Sequence, residues 1–260
     1  MKYIARPFQW LYSIYGLVLF VSIMLLLFPF ILVAALFGRI TGGNMIYRIC
    51  MLWGDTWFFL MFIYHRNFYE QRMHTNRQYI FVANHISYLD APIIVKTIRR
   101  PIRALGKAEM GNVPVFGFIY KYAAVRVDRG SAEDRAKSVR NMKSVIKKGI
   151  SIFVFPEGTF NMTPDPLKDF YDGAFRVAIE TQTPVKPIIF LDGFDRMNYK
   201  SIFSLTPGKS RAIFLEEVSA EGLTLQDVAS LRQKVYSQMD AKLREYKASW
   251  IRQPLTNSQS

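Results

Sequence analysis

Hydrophobic and polar positions divide this chain into two unlike parts. Between Arg6 and Arg39 no residue is charged, and from Leu17 to Leu36 nearly every side chain is aliphatic or aromatic. A helix needs about 20 apolar residues to cross a bilayer, so this segment predicts a membrane helix, with Pro29 expected to kink it. Trp10, Tyr12 and Tyr15 would form an interfacial belt at one end. A cleaved signal peptide fits less well, because the apolar run is too long and lacks a small-residue cleavage site. Gly42, Gly43 and Asn44 supply a turn into a second apolar segment, Met45 to Tyr64, which carries Arg48 and Asp55. A full span and a helical hairpin dipping into one leaflet both fit it.

From Arg72 onward, short apolar runs alternate with helical stretches, which predicts an α/β domain: a mixed sheet flanked by helices. Strands are expected at Tyr79–Ala83, Ile102–Leu105, Ala123–Val127, Ile150–Phe155, Val185–Leu191 and Arg211–Val218. Helices are expected at Tyr88–Ile98, Val115–Tyr122, Ala132–Lys148 and Gly173–Gln182, with a last amphipathic helix over Leu225–Trp250 and a polar tail after Pro254. The implied organisation is a membrane-associated helical hairpin over residues 1–64 and an α/β domain over residues 65–260.

Composition narrows the partners. Half of the 260 residues are hydrophobic and 21% are charged, which excludes a disordered chain and a polytopic membrane protein. The net charge of +14 implies attraction to anionic lipid headgroups, phosphorylated substrates or nucleic acid. With a membrane segment and no nucleic-acid motif, nucleic acid is supported by bulk charge alone. The basic body favours the cytoplasmic face of the inner membrane. Cys50 is the single cysteine, so no intramolecular disulfide or multi-cysteine metal site can form, and its apolar surroundings make it a buried bystander. His65 and His74 show no zinc spacing, and no metal is expected. Pro207-Gly208-Lys209-Ser210 ends like a phosphate-binding loop, but Phe203 stands where its first glycine belongs. No Gly-x-Ser-x-Gly elbow or Gly-x-Gly-x-x-Gly loop is present.

Chemistry concentrates at two strand ends. After Tyr79–Ala83 comes Asn84-His85-Ile86-Ser87-Tyr88-Leu89-Asp90. His85 and Asp90 form a candidate general base with an orienting carboxylate. The competing reading makes His85 a satisfied loop residue beside a helix capped by Asn84 or Ser87. After Ile150–Phe155 comes Pro156-Glu157-Gly158-Thr159. Such a turn can aim backbone amides at a substrate oxygen, with Glu157 orienting a basic residue or a substrate hydroxyl; a tight turn with a surface glutamate is the alternative.

Together and in this order, the two motifs resemble those of the glycerolipid acyltransferase family, whose type member makes phosphatidic acid from lysophosphatidic acid. Gly106-Lys107-Ala108-Glu109, Val125-Arg126-Val127-Asp128-Arg129 and Thr183-Pro184-Val185-Lys186-Pro187-Ile188 resemble further blocks of that family. The resemblance covers about residues 65 to 220. It implies that His85 removes the acceptor's proton and that Asp90 holds the reactive tautomer. The acceptor would then attack the thioester of an acyl-CoA or acyl carrier protein directly, with no cofactor. Lys107 and Arg129 would attract a phosphate, and backbone near Gly158 and Thr159 would hold the acceptor or the oxyanion.

Two departures bear on the acceptor. The family's Glu-Gly-Thr is followed by an arginine that grips the acceptor phosphate, where this chain has Phe160 and Asn161. Tyr171-Asp172 replace a basic pair before Gly173. Lysophosphatidic acid is the first acceptor expected. A lysolipid with another headgroup, such as an amino-acid lipid, is the second, and a non-catalytic protein binding anionic lipid is the third.

Overall fold

The computed structural model describes residues 2–127 and 131–251. The chain opens with α1 (Lys2–Ala35), a one-turn π-helix at Gly38–Gly42 and α2 (Gly43–Leu60), followed by β1 (Ile63–Tyr69) and β2 (Ile80–Ala83). Next come α3 (Asp90–Thr97), β3 (Ile102–Lys107), α4 (Phe116–Ala123), β4 (Ala124–Val127), α5 (Ala132–Lys147) and β5 (Ser151–Val154). The chain continues with α6 (Gly173–Glu180), β6 (Val185–Phe190), the single turn α7 (Gly193–Arg196), β7 (Gly208–Phe214) and α8 (Val228–Glu245).

The seven strands form one sheet in the order β1-β7-β6-β2-β5-β3-β4. All neighbours are parallel except β6 and β7, which makes the sheet mixed, as the pattern predicted. Parallel strands need covered faces, and β2 and β5 are buried at every residue. The strand period of two sends Ile80 and Val82 to one core, with α5, α6 and α8, and Phe81 and Ala83 to the other, with α1 to α4. β1 is the strand that pattern reading misses. It is an edge strand with the single neighbour β7, and His65-Arg66-Asn67 interrupts its apolar residues.

The second apolar segment packs against the sheet. Trp53, Trp57 and Phe58 of α2 are buried there, and Asp55 pairs with Lys96 of α3 and with Arg99 at 2.6 Å each. Among the described helices, only Arg6–Ala35 is long and apolar enough to cross a membrane. Yet α1, which runs unbroken through Pro29, touches the body along most of its length. Gln9 Nε2 donates to Ser204 O (3.1 Å), and Ser13 Oγ accepts from Leu205 N (3.1 Å). Trp57 Nε1 donates to Gly16 O (2.8 Å) and Trp53 Nε1 to Phe20 O (3.1 Å), while Phe28 meets Phe118 edge to face. The opposite face, with Leu11, Ile14, Val18, Val21, Leu25 and Leu32, is exposed. α1 therefore has one apolar face packed on the body and a second apolar face left exposed.

Candidate active site

The two motifs meet at the carboxyl ends of β2 and β5, which are adjacent and parallel. His85 stands two residues beyond the end of β2, and the turn into α3 begins there. Asp90, the first residue of α3, is fully buried and folds its carboxylate back over this turn. Its Oδ2 accepts from His85 Nδ1 (2.8 Å), Ile86 N (2.7 Å) and Ser87 N (2.8 Å). Three donors on one oxygen both stabilise the buried carboxylate and fix the imidazole. With Nδ1 donating to Asp90, the tautomer leaves a lone pair on Nε2, which makes no hydrogen bond among the described residues.

Neither candidate cap serves α3. Asn84 exchanges two hydrogen bonds with the backbone of Phe190 on β6, at 3.0 and 2.8 Å. Ser87 Oγ accepts from Leu89 N (2.9 Å) and donates to Met197 O. Both residues lock the His85 loop to the neighbouring strand β6 and to the segment after α7, which removes the capped-helix alternative.

Pro156-Glu157-Gly158-Thr159 grips His85 by its backbone. Glu157 is 1% exposed; Oε1 accepts from His85 N (2.7 Å) and Oε2 from Lys168 N (2.9 Å). Its carboxylate is thus occupied by two loops, instead of reaching a substrate hydroxyl or a basic side chain. Burial pushes its carboxyl up to about 8, partly offset by the two amides. From the other side, Asn161 N donates to His85 O (2.7 Å). Gly158 holds φ at +77°, and its amide closes the turn on Phe155 O (3.0 Å); a side chain there would strain the turn. Thr159 Oγ1 accepts from Lys168 Nζ at 2.8 Å, so a cation stands at this loop although Phe160 replaces the family's arginine.

Aromatic rings frame the imidazole. Phe155 stacks on it with centroids 4.0 Å apart and planes 9° from parallel, and Phe160 lies 4.3 Å away at 54°. Tyr88 meets Phe160 edge-on at 5.0 Å. Neither Phe155 nor Asn161 was a sequence candidate; only their position beside the Pro-Glu-Gly-Thr turn could have flagged them.

Lys107 ends β3, exposed, at the level where His85 leaves β2, because β5 pairs with both strands in known register. Two strand spacings separate them, about 10 Å of backbone. Arg129, the other expected phosphate ligand, lies outside the described residues, as does Asp128. His65 is a half-buried histidine of β1, bound to Ser210 and Asn67 at 2.9 Å each. A cavity of about 710 Å³ between α5, α6 and the sheet, lined by Leu105, Val127, Val139, Met142 and Val154, reaches Phe155 and Pro156.

Comparison with known proteins agrees with this geometry. The acyltransferase family model matches residues 65–191. An uncharacterized acyltransferase of Schizosaccharomyces pombe is 29% identical over 182 residues, 68% of this chain and 64% of that protein. The 1-acyl-sn-glycerol-3-phosphate acyltransferase of Cocos nucifera is 31% identical over 117 residues, 44% of this chain and 38% of that one. Its alpha counterpart in Mus musculus is 29% identical over 169 residues, 64% and 59% of the two chains. The chain thus matches less than two thirds of the length of these relatives. The crystal structure of the 1-acyl-sn-glycerophosphate (LPA) acyltransferase PlsC from Thermotoga maritima superposes with a TM-score of 0.75 at 22% identity. That match covers 97% of this chain and 100% of the other, and it establishes the shared fold. Over residues 65–191, this chain is thus similar to the acyltransferase family.

Proposed function

We propose that this protein is a membrane-associated O-acyltransferase that moves a fatty acyl group from a thioester to the free hydroxyl of a lysolipid. 1-Acylglycerol-3-phosphate is the favoured acceptor, because relatives from coconut and mouse carry that activity in their names. The carrying observation is the His85–Asp90 pair, with Nδ1 bound to a buried carboxylate and Nε2 left for substrate. In this reading Nε2 takes the acceptor's hydroxyl proton as the oxygen attacks the thioester carbonyl. Asp90 stabilises the imidazolium. Collapse of the tetrahedral species breaks the C–S bond and forms the ester, and the imidazolium returns the proton to the thiolate. No acyl-enzyme is required. Acyl-CoA or acyl carrier protein serves as donor and no cofactor takes part.

Lys107 and Lys168 supply the cations for an acceptor phosphate, with Arg129 as a further contributor from sequence. Phe155 and Phe160 limit water at the base, and the cavity behind Phe155 suits an acyl chain. Membrane contact is through the exposed row of α1, which lies in the plane of the cytoplasmic leaflet. A helix whose inner face binds the body from Gln9 to Phe28 has only its outer face left for lipid.

The test is transfer of labelled acyl groups from acyl-CoA, then from acyl carrier protein, to lysophosphatidic acid and a panel of other lysolipids. Lysophosphatidic acid is expected to react fastest, and His85→Ala is expected to abolish turnover while the protein still folds and sediments with membranes. Full activity in that variant would remove His85 as the base. A faster lysolipid of another headgroup would move the acceptor assignment to a site shaped by Phe160.

A further inference from the structure

A groove of about 770 Å³ runs along β4, the edge strand, with β3 and β5 between it and the strand that carries the base. Arg39, Arg103, Lys121, Arg126, Lys137 and Lys148 line it, and Asp134 is the single carboxylate in the described lining. None of the six cations forms an ion pair among the described residues. Asp134 Oδ2 accepts from Ser131 Oγ at 2.7 Å, so the one acid is engaged within its own helix cap. Like charges gathered in a concave surface build a field that a surface of scattered lysines does not.

Arg103 is the clearest sign that the positive charge belongs there. It is 5% exposed, and its guanidinium donates to Ile102 O (3.0 Å), Arg39 O (3.0 Å) and Ile40 O (3.3 Å). These carbonyls satisfy N–H groups without cancelling charge, and a half-compensated buried cation is costly. The fold also clears space for it. A Cβ on Gly43, at the start of α2, would stand 2.4 Å from Nη2 of Arg103.

One end of the groove is the turn between α1 and α2. Arg39 projects from this turn, whose neighbours Leu36, Phe37 and Ile40 are 84%, 58% and 43% exposed. Cations and bare apolar side chains on one turn, at the end of the exposed apolar row of α1, match an amphiphile with an anionic head. Three strand spacings, about 14 Å, separate β4 from β2, so a headgroup held here stands apart from the reacting hydroxyl.

We propose that this groove is a second lipid site, which takes the phosphate of an anionic membrane phospholipid and fixes how the protein sits on an anionic bilayer. The proposal rests on the membrane-seated reading of α1. It assigns the cations a headgroup that is bound and not transformed.

The experiment is flotation of the full-length protein with vesicles of phosphatidylcholine alone and of equimolar phosphatidylcholine and phosphatidylglycerol. Lys121→Gln/Lys137→Gln empties part of the groove, and Lys234→Gln/Lys247→Gln removes the same charge from exposed positions on and just after α8, which packs behind β6 and away from the β4 edge. The wild type is expected to prefer the anionic vesicles. The groove pair is expected to lose roughly fivefold in that preference for each charge removed, and the α8 pair to keep it. Equal losses in both pairs would make the effect one of bulk charge, and an unchanged groove pair would equally overturn the site. Coenzyme A added to the wild type is expected not to release the anionic preference; release would give the groove to the donor's phosphates. Failure of the wild type to bind neutral vesicles would instead count against the seating of α1, independently of the groove.

Discussion

At the scale of single residues, the site is organised by carboxylates that bind backbone as well as side chain. Asp90 accepts two amides besides His85 Nδ1, so it shapes the turn that presents the base it orients. Asp90→Asn keeps the volume, yet its amide would have to face some of those donors. Transfer is expected to fall by roughly 10²–10⁴, by analogy with other His–Asp pairs, with a smaller change in acceptor KM; retention of most of kcat would end the orienting role. Glu157 makes a different prediction because its folded pKa, about 8, lies above its ordinary 4.5. Between those values the folded state holds a proton that the unfolded state has lost. This contribution to stability is therefore complete below pH 4.5 and disappears as pH rises through about 8. Urea midpoints of the wild type should include this downward drift, and Glu157→Gln should flatten it. The variant should also be weaker by about 1–3 kcal/mol near pH 5, since one of two buried amides loses its acceptor. A drift that survives in the variant would belong to another group.

At the scale of elements, α1 is the instructive case. Its composition gives no inside or outside, since nearly every position from Leu17 to Leu36 is apolar. The two faces are distinguished only by what packs on them: Ile23, Met24, Ile31 and Ala34 are buried, while Val18 and Leu25 are exposed. If the outer row is the membrane contact, Val18→Asp/Leu25→Asp should leave thermal unfolding of the detergent-solubilised protein nearly unchanged. Vesicle binding should drop by at least roughly tenfold per substitution, because each buried aliphatic side chain contributes about 1.5–3 kcal/mol. Unaltered partitioning would mean that this row does not meet lipid. The strands β2, β5 and β6 were readable because sheets covered on both faces demand continuous apolar runs, as in Ile80–Ala83 and Ser151–Val154. β1 was not, because an edge strand needs only one neighbour and tolerates His65, Arg66 and Asn67 in its middle.

At the scale of the molecule, the chain's own order already separated an apolar N-terminal quarter from a basic α/β body, and it placed a histidine and a glutamate each at the end of an apolar strand. Those features are local: hydrophobic period, strand length and residue type are written in consecutive positions. The pairing of β2 with β5 is not local, and it alone brings His85 against Glu157, Phe155 and Asn161. Hence the sequence supports a base and its carboxylate but misassigns Glu157, whose partners are two amides supplied by distant loops. The same holds for the six cations along β4: each reads as an ordinary surface charge in its own segment, and only the packing of α4, α5 and the α1–α2 turn around one edge gathers them. The sequence determined the layers, the candidate base and the membrane-seeking segment, because each depends on neighbours in the chain. Tertiary structure decided which faces are buried, what each carboxylate holds and where the charge collects, because those depend on contacts between segments far apart in it.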